Sequence, residues 1–163
     1  MKPAELLELL RESYAGKLAL KRRHEAGARL VGQYDFNNTY QYLINREEAH
    51  LDWLRRAVAA TGGAMPDEQP VPPLPQAGKG AAEQAAIIKD DSRLIAEFLE
   101  RWRPRVEQVT DSRQSIMLRV ILGEMLEQKR FFDQASAGRN DLLGRRTSPS
   151  RAAGTVLPTR WVE

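Results

Sequence analysis

The sequence of 163 residues contains no cysteine. Disulfide bonds, thiolate catalysis and cysteine-ligated zinc or iron–sulfur centres are therefore excluded. Imidazole is also scarce, because His24 and His50 are the only two histidines. Any metal ion bound by this chain would have to be held mainly by carboxylate groups.

Long apolar runs are absent as well. No stretch approaches the roughly 20 apolar residues that a helix needs to cross a bilayer. The first residues, Met1 to Glu5, lead directly into an acidic amphipathic segment and lack the uncharged apolar core of a signal peptide. With 42% hydrophobic and 29% charged residues, the composition is that of a globular domain. We expect a cytoplasmic protein that has no membrane partner.

The sequence has little excess charge, and that excess lies near its C-terminal end. Residues 139–163 hold five of the 25 basic residues and two of the 22 acidic ones, so residues 1–138 carry 20 of each. Nucleic-acid-binding domains usually collect positive charge on one face. The run Lys21-Arg22-Arg23 is interpreted as a solvated helix surface, and no nucleic-acid partner is expected.

Apolar residues at helical spacing predict a first helical hairpin. The first helix is expected from Pro3 to about Val31 and the second from about Asp35 to Thr61, with Asp35 or Asn37 as its N-cap. A connection of only a few residues between two long helices places them side by side and antiparallel.

Residues 61–80 hold five of the nine prolines and four glycines, so they are predicted to be neither helix nor central strand. Extended proline-rich chain rises about 3.1 Å per residue, so this segment can reach about 60 Å, whereas a helix of about 27 residues is roughly 40 Å long. We therefore expect residues 64–79 to cross the whole bundle, with the second and third helices parallel.

A second hairpin is predicted after this linker. The third helix should begin near Ala81 and be kinked or ended by Pro104, and the fourth should be capped by one of residues 110–112 and end at Gly138. The apolar stripe of the fourth helix is expected at Met117, Val120, Ile121, Phe131 and Ala135.

The predicted fold is thus all-α: a four-helix bundle over residues 1–138, built from two antiparallel hairpins and one long crossover. Residues 139–163 are expected to form an irregular, basic C-terminal arm. Because this polar arm carries Trp161 and Val162 near its end, we expect these two side chains to be buried against the bundle or a second subunit.

Acidic residues interrupt the apolar faces of three predicted helices. Glu47 lies on the stripe of the second helix, and His50 follows one turn later as Glu-x-x-His. Asp91 shares the stripe of the third helix, and Glu124 with Glu127 at i+3 does so in the fourth. Burying an ionised carboxylate without a partner costs several kcal/mol, so compensating cations are expected nearby.

With these residues the chain resembles the ferritin-like superfamily, whose di-iron and di-manganese members take a Glu from each of two helices and a Glu-x-x-His from each of the other two. The resemblance covers about residues 3–137. Glu47 and His50 match the motif of the second helix and Glu124 the carboxylate of the fourth, while Asp91 stands for the carboxylate of the third.

Two positions depart from that pattern. Glu127 occupies the place of the second histidine, and the first helix has no matching Glu. His24, which extends the apolar stripe of the first helix, is the preferred ligand there. Lys17 is the alternative, since a buried ammonium could neutralise the carboxylates in place of a metal.

Two functional hypotheses follow. The resemblance implies an iron or manganese site, mono- or dinuclear, with oxidoreductase or peroxide-handling chemistry in a homodimer or higher homo-oligomer. The alternative is a non-enzymatic ferritin-like module whose site has decayed, with its acids satisfied by Lys17, arginine and water, acting as a binding or structural protein. Motifs for acyl transfer, phosphate loops and dinucleotide binding are absent from the sequence.

Overall fold

The computed structural model describes residues 1–75 and 78–143. All regular structure in these ranges is helical: α1 (Pro3–Ala28), α2 (Tyr34–Ala60), α3 (Ala81–Glu107) and α4 (Ser112–Ser136). None of these four helices combines the length and the apolar character needed to span a bilayer. The predicted burial of Trp161 and Val162 lies outside the described residues.

The four helices surround one hydrophobic core to which each of them contributes. Helix α1 packs mainly against α2, and α3 packs mainly against α4, with smaller contacts between α1 and α3 and between α2 and α4. The two remaining pairs of described helices do not pack on each other. The helices therefore stand at the corners of a square, with α1 diagonal to α4 and α2 diagonal to α3.

Contact partners in α1 and α2 follow opposite orders along the two helices. Asn37, near the start of α2, donates from Nδ2 to the Ala28 carbonyl oxygen at the end of α1, 2.9 Å away. Just beyond the end of α2, Gly63 lies against the side chain of Leu7, near the start of α1.

The cap of α2 differs from the prediction. Gln33 is the N-cap, and its Oε1 accepts a hydrogen bond of 2.7 Å from the Phe36 backbone N–H. Asp35 and Asn37 both lie inside the helix, and the amide of Asn37 instead holds the end of α1. The expected cap residues are therefore wrong, because Gln33 takes the extended conformation of an N-cap two residues before Asp35.

Both ends of α4 agree with the prediction. Asp111 is its N-cap and accepts a 2.8 Å hydrogen bond from the Gln114 backbone N–H. Gly138 follows the last turn with φ of +85°, a left-handed conformation that favours glycine after a helix end.

Pro104 does not end α3, which continues to Glu107. Proline removes one backbone donor and crowds the preceding turn, so a kink or an end of the helix was expected, and the end does not occur here. Trp102 and Val106, on either side of it, are both buried, and we attribute the continuation of the helix to this packing.

The core-facing side of α4 is rotated relative to the predicted stripe. Val120 is 42% exposed, and Met117 and Phe131 are only partly buried, although Ile121 is buried as expected. The buried apolar residues of the helix are Leu118, Ile121, Leu122, Met125 and Phe132. The apolar residues at 116–118 and 120–122 cover more than half of the helix circumference, so spacing alone left the inward direction open.

The described part of the linker contains neither helix nor strand between α2 and α3. It is attached to α1 by Arg22, whose guanidinium makes two hydrogen bonds to the Glu68 carboxylate at 2.5 and 2.6 Å. Leu74 packs against the core. The described part of the linker thus lies against the bundle, and it has the irregular structure that its proline content predicts.

Candidate functional site

Three helices bring ionisable side chains together in the bundle interior. We call this group the inner cluster, and all of its side chains are buried, with at most 1% exposed. Helices α1, α2 and α3 supply its members, which are Lys17, Arg23, His24, Tyr40, Glu47 and Asp91.

Glu47 is held by two cationic groups of α1. Its Oε1 accepts a hydrogen bond from Lys17 Nζ at 2.8 Å, and its Oε2 lies 3.0 Å from His24 Nδ1. Burial alone would raise the pKa of Glu47, but His24 and Lys17 outweigh it and hold that pKa at about 2. The carboxylate is therefore ionised and paired within the chain.

Asp91 is the second buried carboxylate of the inner cluster. Arg23 Nη1 lies 3.3 Å from its Oδ1, and the Tyr40 hydroxyl donates a hydrogen bond to its Oδ2. Burial raises the pKa of Asp91, and the neighbouring cations and the Tyr40 hydroxyl offset this only in part. Gly27 leaves room for this contact, because a Cβ there would lie 3.3 Å from Arg23 Nη1.

His24 lies between the two carboxylates. Its Nδ1 faces Glu47 at 3.0 Å and its Nε2 faces Asp91 Oδ1 at 4.0 Å. Burial lowers the pKa of the imidazole, but Glu47 and then Asp91 raise it, and the net pKa is raised. Arg23 links the cluster to a further carboxylate, since its Nη2 also donates to Asp90 at 3.1 Å.

A second group, the outer cluster, joins α2 to α4 and consists of Arg46, His50 and Glu124. The Arg46 guanidinium donates twice to the Glu124 carboxylate, with Nε 2.9 Å from Oε2. His50 Nε2 lies 2.7 Å from the same Oε2. Burial, followed by the charge of Lys17, lowers the pKa of His50 to about 4 although Glu124 opposes this. The Glu124 side chain keeps 24% of its surface exposed.

The six residues predicted as ligands are thus divided. His24, Glu47 and Asp91 meet in the inner cluster, whereas His50 and Glu124 meet in the outer one. Glu127 is exposed and joins neither, so the structure does not place it at a core site, because the rotation of α4 turns this position towards solvent.

Arg23 and Tyr40 were not predicted as members of a site. The interpretation of Lys21-Arg22-Arg23 as a solvated surface is wrong for Arg23, whose side chain is 0% exposed. A signal was present in its spacing, since Arg23 follows the core residue Leu20 by three positions and precedes Gly27 by four. The small residue one turn later provides the space that a buried guanidinium needs.

This donor set does not fit an iron or manganese ion as the side chains are arranged. In residues 1–75 and 78–143, no three histidine, aspartate or glutamate side chains are grouped so that they could hold a metal. Both oxygens of Glu47 are already engaged by Lys17 and His24. A divalent cation would have to displace the Lys17 ammonium or lie beside it, which Coulomb repulsion disfavours.

Searches against protein-family models, curated proteins and solved structures find no match to this chain. The residues and geometry described above therefore carry the functional inference.

Proposed function

We propose that this chain is a divergent ferritin-like four-helix bundle that acts as a non-enzymatic binding or structural module. In this proposal the chain's own cations neutralise the core acids in the place where relatives of that type carry a metal. The second hypothesis from the sequence, a module with a decayed metal site, is thereby preferred to the first.

The order of contacts supports the ferritin-like topology. Like α1 and α2, helices α1 and α3 have contacts in opposite orders: Gly16 lies beside Phe98 and Gly27 beside Ile87. If α1 is antiparallel to both, α2 and α3 are parallel, and a connection between parallel helices must run the length of the bundle. The linker of residues 61–80 has the length and proline content for this crossover.

One observation carries the proposal: the buried hydrogen bond of 2.8 Å between Lys17 Nζ and Glu47 Oε1, with both side chains 0% exposed. Glu47 belongs to the one complete Glu-x-x-His motif of the sequence. An ammonium in direct contact with this carboxylate supplies the charge compensation that a bound cation would otherwise provide.

Metal analysis and melting curves test the proposal. The protein is purified without chelator, analysed for iron and manganese, and melted with added Mn²⁺, with added Fe²⁺ under anaerobic conditions, and with chelator. A metal that binds the folded state would raise its stability by about 2.7 kcal/mol at one hundred times Kd. We expect no bound metal and the same melting temperature under all three conditions.

Lys17→Met provides a matched test of the ammonium. Removing one partner of a buried ion pair typically costs about 3–5 kcal/mol, so we expect a large loss of stability in urea. Lys21→Met, one turn later in α1, is the control. Lys21 pairs with Glu25 and Glu48 at a partly exposed position, so this variant should lose at most about 1 kcal/mol. Stoichiometric metal with a metal-dependent rise in melting temperature would overturn the proposal.

A further inference from the structure

Helix α4 carries an exposed strip on the side facing away from the core. Two of its residues are apolar: Ile116 is 63% exposed and Val120 is 42% exposed. No other large apolar side chain on the four described helices is exposed. We call this surface the α4 strip, and its members are Arg113, Ile116, Val120, Gly123 and Glu127.

The spacing within the α4 strip is that of a helix–helix contact. Its members follow one another at alternating steps of three and four residues, the repeat that keeps one face of a helix against a partner helix. The bundle does not use this face, since all five residues are exposed. Two exposed apolar side chains one turn apart, with charges of opposite sign continuing the same spacing on either side, suit contact with a partner helix.

The ends and the middle of the strip are free to receive such a partner. Arg113 and Glu127 form no ion pair or hydrogen bond with the part of the chain that the structure describes, and the charge of Glu127 acts on Arg46 of α2 only at longer range. At Gly123 a Cβ would meet no atom within 4 Å. The strip thus offers one positive end, one negative end and a notch between them.

The charged ends and the apolar middle of the α4 strip are arranged so that two copies of the strip can complement each other across Val120. Arg113 lies seven residues before Val120 and Glu127 seven residues after it, so each is about 10 Å from it along the helix axis. A two-fold axis through Val120 that pairs α4 antiparallel with a copy of itself places Arg113 opposite Glu127 of the second copy. The same operation brings Ile116 to within one residue of the notch at Gly123, about 1.5 Å along the helix axis. An interface between identical subunits requires this self-complementarity.

We propose that a second copy of this chain docks on the α4 strip, with the two α4 helices antiparallel about a two-fold axis at Val120. Exposed ion pairs contribute little, and two apolar side chains per copy cover a small area. The dimer should therefore be reversible and dependent on concentration. This proposal does not depend on the core clusters, so its failure would leave the proposed function unaffected.

Sedimentation equilibrium over a concentration series tests the interface. The wild type should move from monomer to dimer, and Ile116→Asp should remain monomeric while keeping its helical circular dichroism. Arg113→Glu changes two symmetry-related ion pairs into repulsive ones, so dimer affinity should fall by about tenfold. Adding Glu127→Arg to that variant restores the opposite charges and should return the affinity to within about twofold of the wild type.

The absence of cysteine from the sequence allows a second test. Val120→Cys places two thiols together at the proposed axis, and mild oxidation should convert this variant to disulfide-linked dimer. Glu100→Cys, at an exposed position of α3, is the matched control and should stay largely monomeric.

Three results would overturn the proposal. The first is a wild type that is monomeric throughout the concentration series. The second is a Val120→Cys variant that cross-links no faster than Glu100→Cys. The third is a charge-swapped double variant that binds no better than Arg113→Glu, as it would if the strip met some other surface.

Discussion

The inner and outer clusters contain the same kinds of groups, but they shift the pKa values of their histidines in opposite directions. In the inner cluster, His24 faces two carboxylates and its pKa is raised. In the outer cluster, His50 shares the Glu124 carboxylate with Arg46. Burial and then the charge of Lys17 lower the pKa of His50 to about 4. Burial disfavours the imidazolium in both places. The balance of neighbouring charges therefore decides in which direction the pKa of a buried histidine is shifted here.

The two clusters also differ in their access to solvent. No side chain of the inner cluster is more than 1% exposed, so water cannot replace a lost partner there. Glu124 in the outer cluster keeps 24% of its side-chain surface exposed. Equal changes of charge should therefore have unequal effects on stability.

Replacing each glutamate by glutamine tests this difference directly, and it should give the largest effect. Glu47→Gln removes the negative charge between Lys17 and His24 and leaves a buried ammonium without its counter-charge, at a cost of about 3–5 kcal/mol. Glu124→Gln removes a partly exposed charge and should cost about 1 kcal/mol or less. Unfolding by urea at neutral pH gives both values.

The two substitutions have the same chemistry, so each serves as the control for the other. Equal losses would show that the difference in burial has no energetic consequence. If Glu47→Gln were stabilising, the attraction between Lys17 and Glu47 would be smaller than the free energy lost when these two groups are removed from water.

The two histidines should give stability opposite dependences on pH, which is the next largest effect. His50 has a pKa of about 4 in the folded protein against an ordinary value of 6.5. Its contribution to the free energy of unfolding is therefore present above pH 6.5 and is lost as pH falls towards 4. The loss amounts to about 3 kcal/mol at 1.36 kcal/mol per pKa unit. The pKa of His24 is raised, so its contribution is present below pH 6.5 and is lost as pH rises through the raised value.

Melting temperatures measured from acid to mildly alkaline pH separate these two contributions. His50→Gln should flatten the curve on the acid side, and His24→Gln should flatten it on the alkaline side. Wild-type stability should therefore be greatest near pH 6.5. If both variants kept the slopes of the wild type, the opposite pKa shifts of the two histidines would be refuted.

Much of the fold could be predicted because helix boundaries have local chemical signals. Asp111 and Gly138 define the ends of α4 through capping and a left-handed turn, and both act within a few residues of the chain. The prolines of residues 61–80 exclude regular structure in the same local way. These features do not depend on how the helices pack together.

The pairing of charges depends on packing, and it was predicted less well. The inward positions of Glu47 and Asp91 were expected from their apolar neighbours, and both are buried. Arg23 was missed because a run of three cationic residues predicts one solvated surface, although Arg23 lies three residues after the core residue Leu20 at helical spacing. Lys17 was the alternative that could neutralise the core carboxylates in place of a metal, and the structure pairs it with one of them, Glu47.

The smallest expected effect tests how a neutral donor contributes to the inner cluster. The Tyr40 hydroxyl donates to Asp91 Oδ2, so Tyr40→Phe leaves that buried oxygen without its donor. Leaving one buried polar atom unsatisfied costs about 1–3 kcal/mol, which is less than removing a buried charge.

Tyr42→Phe is the matched control for this change. Tyr42 lies two residues later in α2, is only partly buried, and packs its ring 6.1 Å from that of Phe131. Its hydroxyl makes no hydrogen bond within the described part of the chain, so the substitution should change stability by less than about 0.5 kcal/mol. Urea unfolding of the two variants beside Glu47→Gln gives the expected order of losses, with Glu47 first, Tyr40 second and Tyr42 last. A Tyr40→Phe variant as stable as Tyr42→Phe would show that Arg23 and His24 satisfy Asp91 without the hydroxyl, and the inner cluster would then consist of ion pairs alone.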